Sequence, residues 1–379
     1  MNIAIVSPWA ISDESVGGTE RYTIDLATQL SKHGDLVQVF MLSGTSQIIN
    51  GVQYTSLDLL GHDVTANEYD LKSYVGALQN GEFYSMWGTI LESKIDVEKF
   101  DVIQLNSLLF LNAWTTKPRI ITIHTNLYEF KMDWGQARFN YATNILRSDL
   151  PNKTRLVAPS DYYSKAYADI FRQPVTAIPH AIDLARLAGA DIDRTSTNDD
   201  TERDITILLP SRLELSQKRP DIIFEAVSIL PDKLKKLITI VASGKDDQYN
   251  EISNYLNDIA LNNGFKARFC RFKTMFEAYA LADIVALPSK SESFGYAALE
   301  ALSLGIPTIL NQRVPTFKEI AKDNKNAYFF NQSAEQCSVV LTKVIQDMHH
   351  YPNSLNWTSR YDIRQWGMKY QQLAESVTK

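Results

Sequence analysis

The stretch SKSESFGYAALEALSLGIPTI, Ser289 to Ile309, places two carboxylates, Glu292 and Glu300, eight positions apart. Glu300 stands in a run that is otherwise apolar or small, with Ala297, Ala298, Leu299, Ala301, Leu302 and Leu304 around it. The run reads as a helix opened near Gly295 and stopped at Gly305, with Pro307 beyond. It is apolar on nearly its whole circumference, the mark of a buried helix. An ionised carboxylate there costs on the order of several kcal/mol unless something pairs with it. One reading is a structural glutamate bonded to a backbone amide or a basic residue. The other is a glutamate aimed into a cleft at the helix start, where N–H groups hold an anion and the carboxylate accepts bonds from nearby hydroxyls. A ligand with phosphates and many hydroxyls, such as a nucleotide sugar, suits the second reading.

Other residues fit the same ligand. Arg212 follows the apolar run ILLPS, and Lys218 comes six residues later, before a helix at Pro220. Loop cations are usually just solvated, but two beside an anion site would neutralise a diphosphate. His124 ends the strand RIITIHT and either reaches into a cleft or is satisfied structurally. Gly17-Gly18 closes the loop WAISDESVGG just before a helix, where backbone can approach an anion or simply turn. The pair is not a G-x-G-x-x-G fingerprint, which disfavours a Rossmann dehydrogenase.

Such residues need strands that end where they begin. NIAIVS reads as a strand, TERYTIDLATQLSKHG as an amphipathic helix, and LVQVFML as the next strand. DVIQLN, RIITIHT, TRLVAPS and VTAIPH follow. The rhythm restarts near residue 204 with DITILLPS, PDIIFEAVSIL, LITIVAS, YNEISNYLNDIALNNG, ARFCRF, MFEAYALA and DIVALPS. Alternation of this kind predicts an α/β chain with parallel sheets covered by helices, and two rounds predict two doubly wound, Rossmann-like domains. Their ligands belong beyond the carboxyl ends of the strands. The expected division is residues 1–185, joined by a C-terminal helix at about 358–379, then a polar, acidic linker at 186–203, then 204–357.

Composition bounds the rest. The chain has 379 residues, 45% hydrophobic and 22% charged, as expected of a soluble globular protein of two domains. No apolar run approaches the ~20 residues of a membrane span, and MNIAIVSP lacks the basic region and cleavage site of a secretion signal. Cys270 and Cys337 are too few and too separated for a disulfide framework or a zinc site, which favours a reducing cytosol. A net charge of −6 argues against a general nucleic-acid surface. Asp191-Ile192-Asp193 has the pattern that metal-dependent sugar transferases use. No strand leads into it, so no metal is expected.

Together these residues resemble the retaining family 4 glycosyltransferases of GT-B fold, nearly end to end and with the pieces in order. ESFGYAALEALSLGIPTI matches the family's glutamate–seven residues–glutamate motif and its Gly-x-Pro tail. SRLELSQK matches its arginine–lysine pair. GGTERYTIDLATQLSKHG matches its first loop and helix, and ADIVALPS and AIPHAID match its strand ends. The resemblance implies two Rossmann-like domains facing across a cleft, with the last helix returning to the first domain. It implies that Glu300 bonds the ribose hydroxyls and that Glu292 lies by the donor sugar and its anomeric region. Backbone amides of Phe294, Gly295 and Tyr296 would hold sugar and diphosphate, and Arg212 and Lys218 would neutralise the departing diphosphate. His124 would touch the donor sugar, and Gly17 and Gly18 would line the phosphate and acceptor side. No metal or other cofactor is implied beyond the nucleotide sugar itself.

The sequence departs from the family at His180-Ala181, where Asn-Gly is usual, at Ser211 before Arg212, and at Arg271 ahead of the base-binding loop. The expected activity is retaining, metal-independent hexosyl transfer to a glycan, glycolipid or glycoprotein acceptor in cell-surface glycan synthesis. A non-catalytic partner subunit, an epimerase and a phosphorylase of the same fold are the alternatives. Acidic residues outnumber basic ones in residues 1–185. The expected location is therefore cytoplasmic, with any contact at the inner membrane face confined to the more basic stretch from Lys117 to Arg172.

Overall fold

A computed structural model of the chain describes residues 1–12, 17–59, 80–126, 136–148, 150–151, 153–183, 204–244, 250–272, 274–347 and 360–379. The linker at 186–203, with Asp191 and Asp193, and the start of the last helix near residue 358 lie outside them. The chain forms two units, Met1–Ala181 with Ile363–Lys379, and Ile182–Asp362.

The first unit runs β1 (Asn2–Ser7), α1 (Gly18–Lys32), β2 (Leu36–Met41), β3 (Gln47–Ile49), β4 (Val52–Ser56), α2 (Asn80–Lys94) and β5 (Val102–Leu105). It continues with β6 (Arg119–Thr122), α3 (Gln136–Arg147), β7 (Thr154–Ala158), α4 (Asp161–Phe171) and β8 (Val175–Ala177). The sheet order is β3-β4-β2-β1-β5-β6-β7-β8. Ile3 and Ile5 face one core and Ala4 and Val6 the other, so the sheet is covered on both sides, as a parallel sheet must be. The expected parallel sheet is extended at one edge by an antiparallel hairpin, β3 on β4. Asn50 and Gly51 both have positive φ, 50° and 79°, the conformation that a two-residue hairpin turn demands.

The second unit runs β9 (Ile205–Leu209), α5 (Asp221–Ile229), α6 (Asp232–Lys235), β10 (Ile238–Ala242), α7 (Glu251–Asn263), β11 (Lys266–Phe269), α8 (Met275–Leu281) and β12 (Ile284–Leu287). Then come α9 (Tyr296–Ser303), β13 (Thr308–Asn311), α10 (Pro315–Ile320), β14 (Ala327–Phe330) and α11 (Ala334–Asp347). Its sheet is parallel throughout, in the order β11-β10-β9-β12-β13-β14. Ile284 and Ala286 enter one core while Val285 and Leu287 enter the other. The chain builds outward from β9 to β11, then returns to place β12 against the other side of β9. Sheets of this kind bind ligands where the strand order reverses. In the first unit the reversal falls between β1 and β5.

The chain ends in α12 (Ile363–Thr378), which belongs to the first unit. Ile363, Trp366, Tyr370, Ala374 and Val377 recur every three or four residues and are all buried. Gly367 sits where an added Cβ would come within 2.7 Å of Gln29, so α12 and α1 lie close together. The Tyr22 hydroxyl donates to Tyr370 Oη at 2.8 Å and lies 3.1 Å from Thr122 Oγ1, joining α1, α12 and β6 inside the core.

Candidate active site

The end of β9 runs into Pro210–Pro220, and the end of β12 into Pro288–Gly295. These two loops are fastened to each other beside the strand-order reversal. The Lys290 amide donates to the Gln217 carbonyl at 2.7 Å, and Gln217 Nε2 donates to the Ser291 carbonyl at 3.2 Å. Next along both loops, Lys218 Nζ donates to Glu292 Oε1 at 2.8 Å, with side chains 14% and 16% exposed. Thr316 Oγ1 anchors the Glu292 carbonyl at 3.3 Å. Lys218 is thus mostly buried and already paired with a carboxylate, which a loop cation read from sequence does not suggest.

Arg212 does fit a loop cation. Its side chain is 50% exposed, with Nη2 3.7 Å from Glu214 Oε2. The adjacent Arg219 is committed elsewhere, since its Nε and Nη2 hold the Asp221 carboxylate at 2.8–3.0 Å in the first turn of α5. Gly244, at the end of β10, was not singled out from sequence. An added Cβ there would lie 1.8 Å from the Ser211 carbonyl oxygen and 2.6 Å from Arg212 Cα. Only glycine lets the β10 loop pass this close to the arginine loop. A glycine directly after a strand was the available signal.

Glu292 leads to Phe294, which is buried, and to Gly295, the residue before α9. Gly295 has φ 109° and an added Cβ would meet Phe317 at 2.8 Å, so both backbone and packing require glycine. α9 begins at that turn, and the N–H groups of its first residues precede the helical ladder. From Ala298 to Ser303 the helix is buried all round, as its sequence implies.

Glu300 is 5% exposed. Its Oε2 accepts a 2.8 Å bond from the hydroxyl of Tyr279 on α8, itself 1% exposed. This phenol is a partner that the sequence reading of the glutamate did not name.

His124, Gly17 and Gly18 belong to the first unit. His124 lies two residues beyond β6, half-buried, with its ring edge-on to Tyr22 at 4.3 Å and 5.3 Å from His180. Nε2 is buried and has no hydrogen-bond partner among the described residues. Burial pushes the imidazole down to about 3, so His124 is neutral at pH 7. His180 is pushed well below the usual histidine range by burial and then by His124. Gly17 caps α1 in extended geometry and Gly18 opens that helix. The space above Gly17 is taken by the Glu20 carboxylate, 2.1 Å from where a Cβ would stand. A negative group therefore occupies the place where the sequence suggests an anion seat.

Among the described residues, no group of three or more His, Cys, Asp and Glu could hold a metal ion, and no helix is long and apolar enough to cross a membrane.

Two doubly wound α/β units of this topology make the GT-B fold. Residues 16–186 match the model of Glycosyltransferase Family 4, and residues 192–358 that of Glycosyl transferases group 1. The D-inositol 3-phosphate glycosyltransferase of Saccharomonospora viridis is 22% identical over 328 residues, 78% of this chain and 73% of that protein. The sucrose-phosphate synthase structure from Thermosynechococcus elongatus is similar with a TM-score of 0.75 at 16% identity, covering 99% of this chain and 98% of the other. Anabaena HepE in complex with UDP and glucose gives a TM-score of 0.71 at 15% identity, over 99% of both chains. The chain belongs to the family 4 glycosyltransferases.

Proposed function

We propose that this transferase moves a hexosyl-type sugar from a nucleotide-diphosphate sugar to a glycan, glycolipid or glycoprotein acceptor in cell-surface glycan synthesis, with retention and without a metal ion. The observation that carries the reading is the pair of fastened loops after β9 and β12, which bring Lys218 onto Glu292 just ahead of the glycine-led start of α9. As the sugar–phosphate bond breaks, negative charge grows on the diphosphate and positive charge on the anomeric carbon. Arg212, Lys218 and the backbone amides leading into α9, from Phe294 to Tyr296, are the groups suited to the former. Glu292 is suited to sugar hydroxyls and to the developing positive charge, and Glu300 to the ribose diol. Lys218 is held by Glu292 before any donor arrives, so a diphosphate has to share or take it. His124, neutral and short of a partner at Nε2, is suited to a sugar hydroxyl. Gly17 and Gly18 keep the phosphate and acceptor side only if the Glu20 carboxylate moves. The reading has the enzyme in the cytoplasm, with any contact at the inner membrane face confined to the stretch from Lys117 to Arg172.

A donor screen tests it. The protein is incubated with UDP-, GDP- and ADP-sugars, and nucleoside diphosphate release and thermal stabilisation are read together. One base and sugar should stand out in both. A folded protein that releases and binds none of them overturns the reading. The Saccharomonospora relative is named for an inositol phosphate acceptor, so a phosphorylated polyol belongs in the acceptor arm beside glycans.

A further inference from the structure

The bond between Tyr279 and Glu300 joins two buried side chains 21 positions apart, on different helices. Glu300 needs a donor, because a buried carboxylate without one is costly. The Tyr279 hydroxyl supplies one and fixes the position of Oε2. A carboxylate has about four acceptor positions, and the Tyr279 bond takes one of them at Oε2.

The helix that carries the phenol is itself held. Thr274 Oγ1 caps α8 by accepting from the Glu277 amide at 3.4 Å. Past its other end, the Asp283 amide donates to the Thr206 carbonyl at 3.0 Å and Asp283 Oδ2 accepts from the Thr206 amide at 2.8 Å, tying the start of β12 to β9. Tyr279 is therefore a fixed post, anchored to the two strands between which the order reverses.

We propose that Tyr279 is a positioning residue that orients the Glu300 carboxylate for the ribose diol of the donor nucleotide. The proposal rests on the reading that Glu300 binds ribose. It assigns to α8 a part in recognising the sugar of the nucleotide, with no contact between Tyr279 and the substrate.

The test compares UDP, GDP and ADP with their 2′,3′-dideoxy counterparts by calorimetric titration, using whichever base the wild type binds best. The wild type should favour the ribonucleotide. Tyr279→Phe should shrink that preference about ten-fold, leave affinity for the dideoxy nucleotide unchanged, and raise KM for the nucleotide sugar with kcat within about two-fold. A wild type indifferent to the diol refutes the ribose role of Glu300 itself. A wild type that discriminates, beside a Tyr279→Phe that discriminates equally, overturns the positioning role. So does a loss of affinity shared equally by both nucleotides, which is what general loosening of the fold would give. Should Tyr279→Phe fold poorly, Glu300→Gln replaces the carboxylate by an amide of the same shape. In that background Tyr279→Phe should leave the diol preference where Glu300→Gln put it, and a further ten-fold drop sinks the proposal.

Discussion

Exchanging Lys218 for methionine and Glu292 for glutamine, singly and together, tests whether the ion pair and the leaving-group site share one lysine. The charged atoms are 2.8 Å apart and both side chains are less than a fifth exposed. With an effective dielectric of ~20, unit charges about 4 Å apart attract by about 4 kcal/mol. Desolvation opposes much of that, which leaves roughly 1.5–3 kcal/mol, the scale of a hydrogen bond between charged groups. That exceeds the ~0.2–1 kcal/mol of exposed pairs, where solvent screening dominates. Urea unfolding of wild type, both single variants and the double variant gives the coupling directly. Repeating the cycle in saturating nucleoside diphosphate should reduce it by about half or more, because the diphosphate then competes for the ammonium. Transfer by Lys218→Met should fall by about 10²–10³. A coupling that nucleotide leaves unchanged, or near-normal transfer by Lys218→Met, refutes the shared-lysine argument.

Arg212→Ala should behave differently, changing stability by only about 0.5 kcal/mol while lowering transfer about 10²–10³-fold, since that side chain is half exposed and loosely paired; unfolding midpoints and initial rates measured side by side decide it. Gly244→Ala forces a methyl into the Ser211 carbonyl, so it should cost about 1–3 kcal/mol and lower turnover by displacing the arginine loop, and a fully active, equally stable variant contradicts the close approach. His124 has a folded-state value of about 3 against ~6.5 in an unfolded chain. At pH 7 both states are neutral, but below ~6.5 only the unfolded chain takes up the proton, so stability falls as pH falls, by about 2 kcal/mol at pH 5. His124→Gln should remove that loss in unfolding curves at pH 7 and 5, and His180 adds a loss of the same sign. Turnover in excess chelator should equal turnover with magnesium or manganese; complete loss restored by a cation would show that Arg212 and Lys218 do not neutralise the leaving group alone.

Elements set by local pattern were readable before the structure. The apolar run Ile284–Leu287 is β12 to the residue, and the glycines at 295 and 305 bracket α9. Trp366, Tyr370 and Leu373 recur at helical spacing in the last helix, and there Trp366 and Tyr370 are buried and Leu373 partly so. The β3–β4 hairpin was not read, although Asn50-Gly51 between apolar runs is a direct local signal for it. The partners of the charged groups were beyond reach for a different reason. Lys218 and Glu292 are 74 residues apart, and Tyr279 and Glu300 sit on separate helices. Periodicity says which face of an element is buried, but not which polar atom on another element it meets. The sequence therefore put Lys218, Glu292 and Glu300 forward as candidates, while misjudging how buried Lys218 is and giving no sign that Tyr279 meets Glu300.

The return of α12 to the first unit governs the order in which the protein can be finished on the ribosome. Ile3, Ile5, Tyr22 and Leu26 share one core with Ile363, Trp366 and Tyr370. The described strands of that unit have been made by residue 177, but the helix α12 that packs on this core emerges only after the second unit has been synthesised. At about 5–20 residues per second the gap lasts roughly 10–40 s. During that interval the apolar face that Ile363, Trp366 and Tyr370 cover in the finished protein lacks those side chains. A stop codon ahead of Ile363 would thus damage the half of the protein that was translated first.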